Sequence, residues 1–466
     1  MRLRVTVLLV VALHGAAFTR ARAQHSLADA IRLADRAAVA NRIAAGSAIA
    51  QAAHALSPLA GILPSVHVEA GYARTSDPIG VFGTTLRQRA ITQANFDPAR
   101  LNYPGDLGNY QGGVVVEQPI VNADAWAGRA ALRHSADAAS ASETWTRLST
   151  RLDVVRAYFG VAFATERVAT LRGAARAANA HVSQADAMVR QGLVTKSDAL
   201  LAAVRMGDVE ADLVEAIGGV ETAERQLAVL LGGDGRDRPR DLAATLPSAE
   251  RIRAVVAGDT AVREGDARAD VQAATLGLAA AQGDVQRARA AYLPRVNSFA
   301  RYDWNASNRP FAGAGNWTVG VMTSWMPFAS ATEVADTRMA AGRAASAMAQ
   351  ADGAAASARV DIARTRTDLA IALARLAIAE RAVAASSEAH RIVARKYAGG
   401  LATVVELLDA HAQETRSALA LAGARYASIS AAAERRRALG GDPASLEALD
   451  SASATAATAA IEHIKN

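Results

Sequence analysis

The chain is written twice. Leu231-Gly232-Gly233-Asp234 returns as Leu439-Gly440-Gly441-Asp442, and 439 − 231 = 208 residues. The same spacing relates Pro119 to Pro327 and "LDVVR" (Leu152 to Arg156) to "VDIAR" (Val360 to Arg364). It also relates Gly192, Leu193, Thr195, Asp198 and Leu200 to Gly400, Leu401, Thr403, Glu406 and Leu408. Upstream, Pro64 answers Pro294 at 230, so the connection leading to the first of the paired prolines is 230 − 208 = 22 residues longer in the first copy. A tandem repeat with one variable loop makes each copy one structural unit.

Proline placement divides each unit. All 12 prolines avoid residues 120–238 and 328–442, windows that a proline-intolerant helix claims. Gly192 interrupts the first window and Gly399-Gly400 the second, so each reads as two antiparallel helices joined by a tight turn. A helix filling the stretch from Pro119 to Gly192 reaches roughly 100 Å at 1.5 Å per residue. The chain is 51% hydrophobic but only 5% aromatic, so its apolar content is mostly small side chains that let long helices approach closely. Ile362, Leu369, Leu373, Leu376 and Val383, with Ala between them, keep a coiled-coil-like spacing. An ordinary soluble helical bundle accommodates the same pattern.

The remainder of each unit reads as paired strands, at about 64–74 and 110–118, then 294–304 and 317–326. Val66, Val68, Ala70 and Tyr72 alternate with His67, Glu69, Gly71 and Ala73; Tyr110, Gly112, Val114 and Val116 alternate with Gln111, Gly113, Val115 and Glu117. In the second copy Val296, Ser298, Ala300, Tyr302 and Trp304 alternate with Arg295, Asn297, Phe299, Arg301 and Asp303, and Trp317, Val319, Val321, Thr323 and Trp325 follow. Strands of about ten residues, apolar on one face and with aromatics toward their ends, match spans of an outer-membrane barrel. A half-buried soluble sheet gives the same alternation. Four strands cannot close a barrel alone, and lipid forbids open edges, so a barrel of this chain requires several copies.

The N-terminus carries Arg2 and Arg4, an apolar run from Val5 and the small-x-small site Ala21-Arg22-Ala23 before Gln24, which reads as an export signal over 1–23. A membrane anchor is the alternative, although the run is short of the ~20 residues a span needs. There is no Cys, hence no disulfide, thiolate metal site or lipid-acceptor Cys. The formal charge of +6 falls to 6 − 4 = +2 without Arg2, Arg4, Arg20 and Arg22, so the basic balance does not point to nucleic acid. The nine His are dispersed without metal-ligand spacing, and no Ser/His/Asp grouping or phosphate loop is evident. The sequence thus gives no reason to expect an enzyme, a cofactor or a metal.

Through nearly the whole mature chain these residues resemble the TolC family of outer-membrane efflux channels. The likeness lies in the Leu-Pro lead-ins to strands one and three, the prolines 119 and 327 at strand exits, the "GLVTKSD" and "GGLATVVELLDA" turns, and the duplicated order. The resemblance implies a mainly α protein with a β-barrel part: a homotrimer whose 12-stranded outer-membrane barrel continues into a periplasmic α-helical barrel. On this layout the first unit is 24–232, an equatorial linker is 233–258, the second unit is 259–440 and the tail is 441–466. It also implies partners, namely outer-membrane lipid, a periplasmic adaptor (a membrane fusion protein) and an inner-membrane RND or ABC transporter. The turns Gly192, Leu193, Gly400 and Leu401 are the expected adaptor-docking points, and the long first loop is expected outside the cell.

Carried over by position, Tyr397 and Asp198 make a hydrogen bond that holds the periplasmic gate closed, and Glu406 and Asp409 form an acidic constriction. The family's gating arginine is replaced by Ala402. Each residue has a plainer role open to it: Asp198 as a helix cap, Tyr397 as bundle packing, and Glu406 with Asp409 as a solvated pair three residues apart. The expected activity is a passive duct for small molecules in a tripartite efflux system. A duct for type I protein secretion shares the layout, and a non-channel periplasmic coiled-coil protein is the competing class.

Overall fold

The computed structural model describes residues 26–236, 242, 244–258, 268–327 and 331–450. The signal segment 1–23, residues 259–267 of the expected second unit and residues 451–466 of the tail lie outside the described residues.

Two short helices, α1 (Leu27–Ala37) and α2 (Val39–His54), lead into β1 (Ser65–Thr75). The long first loop folds into α3 (Pro78–Arg87) and α4 (Pro98–Asn102) before β2 (Leu107–Val121). Then come α5 (Ala123–Arg190), which at 68 residues is about 100 Å long, and its returning partner α6 (Lys196–Leu230). After α7 (Ala249–Gly258) the plan repeats with α8 (Ala269–Ala290), β3 (Arg295–Ala306), β4 (Ala314–Ser324), α9 (Thr332–Ala398) and α10 (Val404–Ala438). The helices preceding each strand pair, α2 and α8, are a part of the repeat that the alternation and proline arguments did not reveal.

The doubled Leu-Gly-Gly-Asp is a helix stop. Gly232 and Gly440 take φ +88° and +85°, a region an L side chain resists. Around them Gly232 N donates to Val229 O and Gly233 N to Ala228 O, and Gly440 and Gly441 repeat the pair on Arg437 and Arg436. This is the Schellman closure of α6 and α10. Gly192 and Gly400 close α5 and α9 in the same way at φ +73° and +74°. Four such stops in two pairs give the copies equal hairpins.

The strands form one antiparallel sheet in the order β1-β2-β3-β4. Both loops, 76–106 and 307–313, lie at one end, and α2, α5, α8 and α9 all join the other. Pro119 is not at the strand's exit as expected: it sits inside β2, paired with Asn297, beside a register shift. It is tolerated because pairing with β1 stops at Ser65–Glu117, which leaves the β1 side of β2 free of a ladder beyond that point. Trp325, expected within the fourth strand, lies just past the end of β4.

The bundle packs on small residues. A methyl built at Gly283 on α8 would meet the Ala131 methyl of α5 at 2.8 Å, so the two helices touch backbone to backbone. The main core lies part-way along the long helices, where Leu27, Tyr158, Phe159, Leu227, Ile252, Leu376 and Ile429 bring α1, α5, α6, α7, α9 and α10 together. Buried Asp450 accepts from Leu27 N at 2.9 Å and from the Tyr158 hydroxyl at 3.1 Å, tying the C-terminal turn to the start of α1. Arg151 joins Asp35 at 2.7 Å and Asp442, of the second Leu-Gly-Gly-Asp, at 2.5 Å.

Candidate functional site

The register assigns each side chain to a face of the sheet. Val66, Val116 and Ala300 share one level, and Val68, Val114, Tyr302 and Trp317 share another, all on the same side. Val66, Val68, Trp317, Val319 and Val321 on this side are exposed in the single chain. Near the loops Tyr72 packs on Tyr110 with ring centroids 4.7 Å apart, Tyr302 on Trp304 at 4.6 Å, and Phe311 on Trp304 at 5.6 Å. Near the helices Trp325 donates its indole N–H to Tyr292 O at 3.1 Å. Between these two aromatic bands no residue of this face is charged, which is the surface lipid requires.

The opposite face is mostly polar, interrupted by Val115, Phe299 and Met322. A cleft of about 420 Å³ there is lined by Glu69, Gln111, Arg301, Asp303 and Asn316, and by Arg87 from α3. Arg301 pairs with Asp303 at 2.8 Å. The first loop folds back toward this side: Gln88 donates to Gly108 O and Asn109, and Arg89 to Gly315 O.

At the far end of the helices the two turns come together. Ala185, Ala199, Ala202, Tyr397, Val404, Leu407 and Leu408 form a small separate core that joins one hairpin to the other. Tyr397 is 2% exposed within it, and its hydroxyl has no hydrogen-bond partner among the described residues. Burial, and then the Asp198 charge, push its phenol above the usual value. Asp198 is therefore close enough to be felt, yet no hydrogen bond joins the two. Its carboxylate instead accepts from Thr195 N at 2.9 Å and the Thr195 hydroxyl at 2.8 Å, the N3 half of a capping box that starts α6.

Glu406 does the same 208 residues later, accepting from Thr403 N at 2.7 Å and its hydroxyl at 3.0 Å. The Thr403 backbone N–H, then its hydroxyl, hold the Glu406 carboxyl below the usual range. Asp409 lies beside it on the exposed face of α10. The turn residues Leu193 and Leu401 are 64% and 81% exposed, while Gly192 and Gly400 supply the left-handed conformation beneath them.

The fold also assembles what sequence spacing hid. His181 on α5, His390 on α9 and His411 on α10 bring one ring nitrogen each within 4.8 Å of the others. Burial, then the neighbouring imidazoles, push His181 down to about 4. Burial likewise lowers His411. The signal was present: adding the repeat of 208 to 181 gives 389, next to His390, and His390 and His411 flank Gly400 at 10 and 11 residues.

The two-faced sheet continues at one end into helices, α2 and α8 before the strand pairs and the long α5 and α9 after them. The sequence matches the family model described as "Outer membrane efflux protein" over residues 36–233 and 265–441, one segment for each copy of the repeat. Solved structures share the fold, among them three with a TM-score of 0.72. A membrane protein from Pseudomonas aeruginosa is 19% identical, covering 89% of this chain and 90% of its own. The CmeC outer membrane channel of Campylobacter jejuni is 16% identical, covering 89% and 86%. The outer membrane protein VceC of Vibrio cholerae is 21% identical, covering 89% and 96%. No curated protein matches the sequence. The chain belongs to the outer membrane efflux protein family. It is a channel protein of the Gram-negative outer membrane that extends into the periplasm, and not an enzyme.

The capping boxes carry a direct test. Thr195→Ala and Thr403→Ala should each cost about 1 kcal/mol locally, and speed amide exchange in the first turns of α6 and α10 about fivefold. Unchanged exchange in both turns would show that the boxes do not hold these helix starts.

Proposed function

We propose that three copies of this chain form one 12-stranded barrel continued by an α-helical barrel, serving as the passive outer-membrane duct of a tripartite efflux system for small molecules. The observation that carries this reading is the sheet itself. Its lipid-type face is exposed, and its outer strands β1 and β4 have no neighbour on their far sides among the described residues. Family membership supports the efflux role. The periplasmic adaptor meets the helical tips at Leu193 and Leu401, with Gly192 and Gly400 shaping the turns, and an RND or ABC transporter in the inner membrane supplies the cargo.

In the trimer Glu406 and Asp409 would give a ring of 2 × 3 = 6 carboxylates at the tip, and such rings favour cations. Tyr397 and Asp198 form the latch. The phenol already lies within reach of the Asp198 field, and its hydroxyl is otherwise unpartnered. Rotation of either side chain makes a bond worth about 1 kcal/mol per protomer. Capping by Thr195 and latching are compatible, because both cap bonds end on Oδ2 of the carboxylate.

In planar bilayers, Tyr397→Phe should raise single-channel conductance, and Glu406→Ala with Asp409→Ala should abolish cation selectivity and block by trivalent cations. Wild-type selectivity and block in the double variant would reduce these two acids to helix capping and solvation. In cells, Leu193→Asp together with Leu401→Asp should abolish efflux while trimers still assemble; normal efflux would remove the turns from the adaptor interface.

A further inference from the structure

We propose that His181, His390 and His411 form a three-imidazole site for a borderline divalent transition-metal ion, of which Zn(II) is the representative. The site lies between the two helical hairpins, 400 − 390 = 10 residues before the Gly400 turn, which is about 15 Å along α9.

The hydrogen bonds around the rings fix which nitrogens are free. His411 Nε2 lies 3.2 Å from Ala174 O, an acceptor only, so Nε2 carries the proton and Nδ1 holds the lone pair. His390 Nδ1 lies 2.5 Å from a Glu414 carboxylate oxygen, again an acceptor, which leaves the lone pair on Nε2. The three ring nitrogens that are buried and lack a hydrogen-bond partner are His411 Nδ1, His390 Nε2 and His181 Nε2, one per ring. A buried imidazole nitrogen without a partner is costly and uncommon. Here three of them occur within one cluster.

A carboxylate and a backbone carbonyl behind two of the rings are the supports that metal-binding histidines ordinarily have, since they fix the tautomer and raise the basicity of the ligating nitrogen. The ring centroids lie 5.1, 5.4 and 5.9 Å apart. Tetrahedral coordination with metal–nitrogen bonds of about 2.0–2.1 Å needs the ligand atoms about 3.3 Å apart, and they already lie within 4.8 Å of one another, so the rings need to draw in by at most about 1.5 Å. His181 and His390, the two half-buried rings, have side-chain torsions free to make that adjustment. His181 and His390 are half-buried, which gives an ion a way in, and His411 is buried beneath them.

Neutral imidazoles without thiolate or direct carboxylate ligands select zinc, copper(II), nickel or cobalt over calcium and magnesium. Three protein ligands leave a fourth position for water. Because His181 belongs to the first hairpin and the other two rings to the second, a bound ion staples one hairpin to the other.

The test uses tag-free, chelator-treated, full-length protein in detergent. Titration with ZnCl2 should give one ion per chain, and CoCl2 should give the intense visible d–d absorption of low-coordinate nitrogen ligation. His181→Ala, His390→Ala and His411→Ala should each weaken zinc binding at least about 100-fold, and Glu414→Gln about 10- to 100-fold. Zinc should also raise the unfolding temperature of the wild type and not that of the triple alanine variant. Absence of saturable zinc binding, a weak octahedral-type cobalt spectrum of the wild type, or stoichiometric binding that survives the triple variant would each overturn the site. The cobalt spectrum requires no variant, so a folding defect in the substituted chains leaves the proposal open to refutation.

Discussion

A sheet in hydrocarbon has no water to satisfy its edges. Every backbone N–H and C=O left unpaired there costs several kcal/mol, so a strand set that enters lipid must close. The four strands of this chain present an apolar face between two aromatic bands, yet they end in two open edges, β1 and β4. Most of the remaining architecture answers that constraint. The strand pairs come one from each copy of the repeat, and β2 pairs with β3 across the copies, so the duplication itself builds the sheet. All four attached helices leave from the same end of the sheet, opposite the loops.

The helices meet a second requirement, equal length in the two copies. Unequal hairpins would bring their turns to different heights, and the tip core around Tyr397 and Leu407 joins residues from both hairpins. Matched Schellman stops end α5, α6, α9 and α10, and matched capping boxes start α6 and α10, so the returning helices are 35 residues in both copies and the long ones 68 and 67. The 208-residue spacing therefore records a mechanical tolerance. Length varies where nothing has to match it, in the loop 76–106 beyond the sheet.

Much of this architecture is legible in the order of the residues. Proline exclusion and the turn glycines mark the long helices, and period-two alternation marks all four strands to within a few residues. What escapes has physical reasons. Helices α2 and α8 are rich in Ala and show little contrast between faces, so periodicity has little to detect there, whereas the Ser26–Asp29 capping box and one-sided apolar face of α1 are legible in its sequence. Pro119 looks like a strand end because its tolerance depends on where β1 stops, a tertiary fact. The role of Asp198 and Glu406 in capping is visible in the spacing Thr-x-x-Asp and Thr-x-x-Glu, whereas the nearness of Asp198 to Tyr397 depends on how the hairpins pack. The three histidines look dispersed because their proximity arises only when one repeat is laid beside the other.

If the sheet is one third of a closed barrel, native mass measurement of the detergent-extracted outer-membrane protein will find a particle of three chains. That particle should persist on dilution and dissociate only with loss of the β signal. A stable folded monomer, a different number of chains, or recovery of the protein from the soluble periplasmic fraction would contradict the closed trimeric barrel.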